Sequence, residues 1–281
     1  MSRFGEFVLR KLSRPPEQGD YLNDAYEAKH RDVAACVRAV RETAPGLAER
    51  VAGRRVLDIG CAEGLEAVAL ALLGAREVVG IDTRMDARKA EALRDRHAPG
   101  RDVRFHATDA ARLPYPDGHF DAVVTLGSLE HFRDPFAVLA EARRLLADDG
   151  RIILTSGVWG SPWGAHVYFF TKLPWVQFLF SERTIMNVRR LYRSDGARAF
   201  HEVEGGLNRI GVRSFLRGAK DLGFEVEYFA LSPVKGIAFL TRVPLLNELF
   251  SHLMTAVLVP RKARALPRAL LADEPKAAQG F

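Results

Sequence analysis

The chain has 281 residues, enough for one large α/β domain with insertions or two small domains. Its 48% hydrophobic and 27% charged residues exclude wholesale disorder. The net charge of +6 comes from basic residues spread along the chain rather than gathered in a stripe, so no nucleic-acid partner is expected. The two cysteines, Cys36 and Cys61, are too few for a disulfide framework and fit a reducing cytoplasm. No Cys/His cluster has zinc-ligand spacing, so no metal is expected. No apolar stretch reaches spanning length. The expected location is cytoplasmic, free or peripheral at the inner membrane surface.

In chain order, residues 2–14 form a short basic amphipathic helix. Phe4, Phe7, Val8 and Leu12 take one face, and Arg3, Arg10, Lys11 and Arg14 the other, before Pro15 and Pro16 stop it. Such a helix can lie on a membrane or pack its apolar stripe on its own domain. A second helix runs from Tyr26 to about Arg41, and residues 1–44 read as an N-terminal helical cap. Strand–helix alternation then begins. Strands are expected at 55–59, 77–82, 102–106, 120–126 and 151–155, with helices at 66–73, 87–97 and 137–146. After an aromatic-rich stretch, 157–205, the alternation resumes with a helix at 212–222 and a strand at 224–231. An apolar stretch, 233–252, precedes a last strand at 255–259. The fold class is α/β, with a Rossmann-like, mostly parallel seven-stranded sheet flanked by helices. The catalytic domain is placed at 45–262, and the tail at 263–281 reads as disordered.

Three acidic residues fall at or beyond strand ends, where open α/β sheets bind ligands: Asp58, Asp82 and Asp109. Gly60 and Gly64, in the loop after the first strand, allow backbone to approach a ligand closely. Asp82 can accept both hydroxyls of a ribose, and Asp109 an exocyclic amino group. A dinucleotide fingerprint would want glycines at 60, 62 and 65, whereas this chain has Gly60, Ala62 and Leu65.

The segments VLDIGCAEG (56–64), VVGID (78–82), TDAARLPYPDGHFDAVVTLGSLEHFRDP (108–135) and LLADDGRIILT (145–155) resemble the class I S-adenosylmethionine (SAM)-dependent methyltransferases, especially the small-molecule "methyltransferase type 11" group. The resemblance covers roughly 55–155, and more weakly 224–259. It implies SAM as cofactor and S-adenosyl-L-homocysteine as product. Gly60, Cys61, Ala62 and Gly64 would face its ribose and aminobutyrate, with Asp58 near the ammonium. Asp82 and Thr83 would hold the ribose, Asp109 and the Ala110 amide would read adenine, and the Leu126 backbone would border the sulfonium. One departure is Ala62, where the family has glycine, so a slightly shifted loop is expected.

Methyl transfer needs alignment of the nucleophile, exclusion of water, and a base only where the nucleophile carries a proton. His131 is the best-placed candidate, with bracing of its loop by Glu130-His131 as the alternative. His166 and His201 are lower-ranked rivals, and His106 reads as structural. Tyr21 and Tyr26 either close over the cofactor or pack in the core. The aromatic stretch with Trp163, and the second apolar stretch, read as a lid over the acceptor. Packing on each other, a homodimer interface and membrane-surface contact remain open for them. The expected reaction is O-methylation of a bulky, partly apolar small molecule, glycan or lipid-linked intermediate. RNA methylation and a non-catalytic scaffold are the alternatives.

Overall fold

The computed structural model describes residues 2–13, 32–203, 206–234, 243 and 246–261. Tyr21, Tyr26, the prolines after the first helix, half of the 233–252 stretch and the 263–281 tail lie outside these residues.

Helix α1 (Ser2–Leu12) is followed by α2 (Val33–Glu42), where Asp32 caps the helix by accepting from the Ala34 amide at 2.9 Å, and by the short α3 (Leu47–Val51). The alternating core is β1 (Arg55–Ile59), α4 (Leu65–Leu72), β2 (Glu77–Asp82), α5 (Ala87–His97), β3 (Val103–Ala107), β4 (Phe120–Leu126), α6 (Pro135–Leu145) and β5 (Leu146–Gly157). Then come α7 (Val176–Leu179), α8 (Glu182–Arg189), α9 (Val212–Asp221), β6 (Phe224–Pro233) and β7 (Ser251–Pro260). The seven-stranded sheet runs β3-β2-β1-β4-β5-β7-β6. Strands β1 to β5 pair in parallel, and β7 inserts antiparallel to both β5 and β6. The mostly parallel seven-stranded sheet is the expected architecture, and the structure adds that β7 is its reversed strand.

The boundaries of β5 and β7 differ most from expectation, those of the other strands by at most two residues. β5 starts at Leu146, not Arg151, because Leu146 pairs with Phe120 ahead of a bulge that ends where Arg151 pairs with Ala122. It also runs on to Gly157. β7 starts at Ser251, so the second apolar stretch ends inside the sheet: its first residues pair with Pro233 and Ser232 of β6. The sheet is covered on both faces by apolar clusters, one around Val56, Val68 and Val78, the other around Leu57, Phe120 and Phe215.

The first insertion builds a core of its own from Val167, Phe170, Val176, Ile185 and Phe200, into which α1 inserts Leu9. The two N-terminal helices therefore separate. α1 joins the insertion through α8, while α2 packs on α4 behind the glycine loop. The first helix does not turn its whole apolar face inward as the packing reading required. Leu9 is fully buried, yet Phe4 is 75% and Phe7 59% exposed.

Candidate active site

A cleft of about 2610 Å³ opens along the C-terminal edge of the parallel strands. It exceeds the ~300–1,000 Å³ usual for one small ligand, leaving room for a cofactor and an acceptor together. Gly60, Ala62, Asp82, Thr83, Asp109, Ala110 and Leu126 line one part of it.

The loop after β1 turns on Gly60 (φ +81°) and Gly64 (φ +89°). A Cβ at Gly60 would sit 2.4 Å from Ser128 Oγ, and one at Gly64 would sit 2.7 Å from the Phe105 ring. The space these glycines save is thus filled by the protein's own β4 and β3 flanks. Ala62 adopts φ +48° without that freedom, which is how the loop accommodates the missing glycine. Its amide donates to Asp82 Oδ2 at 3.2 Å, and the Arg84 amide donates to Oδ1 at 2.8 Å. The carboxylate at the end of β2 is thereby fixed toward the loop. Asp109 is exposed and accepts from the Ala111 amide at 2.7 Å.

Asp58, Cys61 and Gly64 do not reach the cleft surface. Cys61 is buried against Met85, with sulfurs 3.8 Å apart, and burial followed by the charge of Asp58 pushes its thiol pKa up. Asp58 is 1% exposed, and its Oδ2 has no hydrogen-bond partner. Burial, then the charges of Glu66 and Asp82, hold its pKa well above the usual carboxylate range. Glu66, at the start of α4, lines the cleft, and sequence reasoning passed it over as a helix residue. A buried, unsatisfied carboxylate oxygen with two further carboxylates beside it suits a cationic ligand at this loop.

The remainder of the cleft is built by the segment after β4 and by the first insertion. His131 ends a 3-10 turn, Leu129–His131. Its Nδ1 lies 2.8 Å from the Gly206 carbonyl, which can only accept. That partner assigns the proton to Nδ1 and leaves the Nε2 lone pair of the neutral ring available. The turn is braced from below: Glu130 accepts from Ser156 Oγ at 3.0 Å and from the Gly157 amide at 2.8 Å. Asn208 Nδ2 donates to the Leu129 and Phe132 carbonyls at 2.7 and 2.9 Å. Glu130, Asn208 and the Nδ1 side of His131 all brace the turn, and His131 Nε2 takes no part in that bracing. Asn208 gave no sequence signal beyond its place in a loop.

His166 comes up beside His131, with ring centroids 5.3 Å apart, and adopts φ +49°. A left-handed backbone on a histidine marks a position held by its surroundings. Burial first, then the neighbouring His131, lowers its pKa to about 4 against the pull of Glu130. Trp163, 39% exposed, and His201, exposed at its rim, also line the cleft. His106 is exposed on β3 and contacts Tyr115 Oη at 3.3 Å, and it is absent from the cleft lining.

This sheet order, with Asp82 and Asp109 at the strand ends and one large cleft beside them, is the Rossmann-like arrangement of the methyltransferase fold. A family model described as "Methyltransferase domain" matches residues 57–154. An uncharacterized methyltransferase of Mycobacterium sp. (strain JLS) is 30% identical over 239 residues, 84% of this chain and 87% of that protein. The 27-O-demethylrifamycin SV methyltransferase of Amycolatopsis mediterranei (strain S699) is 40% identical over 106 residues, 37% of this chain and 38% of that one. Among solved structures, magnesium protoporphyrin IX methyltransferase from Synechocystis PCC 6803 with bound SAH matches with TM-score 0.53 at 19% identity, covering 93% of this chain and 95% of that one. The chain belongs to the SAM-dependent methyltransferases. It is an enzyme, its cofactor is S-adenosyl-L-methionine, and the product of that cofactor is S-adenosyl-L-homocysteine.

Proposed function

We propose that the enzyme methylates a hydroxyl oxygen of a bulky, partly apolar small molecule, glycan or lipid-linked intermediate, with His131 as the base. The observation that carries this reading is the Nδ1–H···O bond to Gly206, which leaves a cleft-lining imidazole with an available lone pair. A hydroxyl is among the proton-bearing nucleophiles that need such a group. Support for a large acceptor comes from the volume of the cleft and from the rifamycin precursor named for the Amycolatopsis relative.

On this reading Asp82 and Thr83 hold the ribose of the cofactor, Gly60 and Ala62 flank it, and Asp109 with the Ala110 amide meets adenine. Asp58, Cys61 and Gly64 support the loop from behind, with the unpartnered Oδ2 of Asp58 on the side of the ammonium. Leu126 borders the sulfonium, which supplies an activated methyl carbon when bound. The protein aligns the acceptor oxygen, excludes water and receives its proton at His131 Nε2. His166 and Trp163 shape the acceptor wall, and the His131–His166 pair resists holding two protons at once.

The test is a panel of polyketide, quinol and glycolipid hydroxyl acceptors assayed with wild type and His131→Asn. Turnover should fall by about 10²–10⁴ in the variant while calorimetric SAM affinity stays the same. An unchanged rate, or methyl found on carbon or nitrogen by NMR of the product, would overturn the proposal.

A further inference from the structure

Helix α1 is held to the insertion by a narrow inward face. A Cβ on Gly5 would lie 3.3 Å from Thr184 Cγ2 and 3.8 Å from the Phe180 ring, and Glu6 accepts from Asn187 Nδ2 at 2.6 Å. With Leu9 fully buried, these contacts fix the rotation of the helix. At about 100° per residue, Phe4, Phe7 and Lys11 then fall on the opposite face, with Arg3 and Arg10 beside them. Phe4 is 75% and Phe7 59% exposed, and Lys11 Nζ sits 5.8 Å from the Phe7 ring centroid. The contact of Gly5 with Phe180 places the end of α7 next to this helix, and there Phe178 and Leu179 are 55% and 61% exposed.

Single exposed apolar residues need no account, but two on the outward face of α1 and two more at the end of the neighbouring α7 do. Its edges are cationic: Arg3, Arg10, Lys11, Arg183 and Arg190 are all exposed. The carboxylates of the same helices are engaged elsewhere, Glu6 with Asn187 and Glu182 with Arg209 at 2.6 Å and the Phe200 amide at 2.6 Å. Exposed aromatic side chains with a cationic rim complement an anionic bilayer surface. A second copy of the same face would bring like charges together.

We propose that the face formed by α1 and the α7–α8 segment docks on an anionic phospholipid surface, with Phe4, Phe7, Phe178 and Leu179 entering the headgroup boundary. The face is tied to the cleft. Gln177 of α7 donates to the Trp159 and Ser161 carbonyls at 2.9 and 2.7 Å, and Ser161 and Trp163 line the acceptor space. Docking would set the acceptor side of the cleft near the bilayer, and it stands whatever the acceptor proves to be.

The test is co-sedimentation of the full chain with vesicles of equimolar phosphatidylcholine and phosphatidylglycerol, and with phosphatidylcholine alone. Wild type should bind the anionic vesicles and lose binding at high salt. Phe4→Ser with Phe7→Ser should weaken binding about tenfold per residue, and each charge removed by Arg3→Gln, Arg10→Gln or Lys11→Gln about fivefold. Far-UV circular dichroism and SAM affinity should match wild type in each variant. Failure of wild type to bind, or equal binding by the phenylalanine variant, would overturn the proposal. So would a vesicle-free dimer that the phenylalanine variant dissociates in analytical ultracentrifugation, which would assign the face to self-association.

Discussion

The strained, cleft-lining His166 makes the fold pH-sensitive in a defined window. His166 titrates at about 4 in the folded chain, against 6.5 for an unperturbed ring. Between those values the unfolded chain takes up a proton that the folded chain refuses. Stability from this group is therefore complete above about pH 6.5 and is lost as pH falls toward 4. The difference corresponds to at most ~3 kcal/mol, a ceiling because the ring keeps some contact with solvent. The measurement is urea denaturation of wild type and His166→Asn at pH 7 and pH 4.5. Asparagine tolerates the left-handed backbone and does not titrate, while the carboxylates respond alike in both proteins. Wild type should lose about 2 kcal/mol more than the variant on acidification. Parallel losses would refute the burial of a neutral ring beside His131.

Three further outcomes follow from the same geometry. Asp82→Ala removes the acceptor fixed by the Ala62 and Arg84 amides, so calorimetry should show SAM affinity down about 100-fold, and an unchanged affinity would remove Asp82 from the ribose. Ala62→Gly relieves φ +48° worth ~1 kcal/mol, so the melting temperature should rise by about 2–4 °C, and a fall would mean the methyl group packs usefully. Asn208→Ala frees the Leu129 and Phe132 carbonyls, costing ~1–3 kcal/mol of stability. It should lower kcat while leaving SAM affinity intact, and an unaltered kcat would show that the His131 turn holds its shape unaided.

The sheet was legible because its strands are short, apolar and each punctuated by a turn or an acidic residue. β1, β2 and β4 fall where the periodicity puts them. β5 was read short because Asp149-Gly150 looks like a tight turn, whereas 147–150 form a bulge within the strand, and β7 because its polar start at Ser251-His252 lies outside the apolar run that marks the strand. The lining of the cleft by Asp82, Asp109 and Leu126 follows from strand order alone, since every parallel strand delivers its C-terminus to the same edge. Asp58 and Cys61, in contrast, alternate to the buried side, a matter of side-chain direction that a loop motif does not reveal. His166 was ranked below His131 because nothing in the sequence announces a positive φ or a neighbour 35 positions away. The aromatic stretch was ambiguous for a physical reason: Phe170 is fully buried and Phe178 fully half exposed, and composition does not distinguish a satellite core from an outward face.

The cleft is electrically polarised, and the polarity matches the direction of the chemistry. Glu66, Asp82 and Asp109 line the end of the cleft at the cofactor loop, while Lys172, Arg189 and Arg193 come from the insertion. Arg189 is neutralised by Asp195 through two bonds of 2.5 Å, which hold that carboxyl at about 2. Arg193 keeps its charge and stacks on Phe169, 4.7 Å from the ring centroid. A sulfonium is favoured at the acidic end for as long as it carries its charge. Loss of the methyl group abolishes that charge, so the attraction holding the cofactor weakens with the transfer itself. The basic end keeps its charge throughout, and it favours an acceptor with electron-rich or anionic groups set back from the reacting atom.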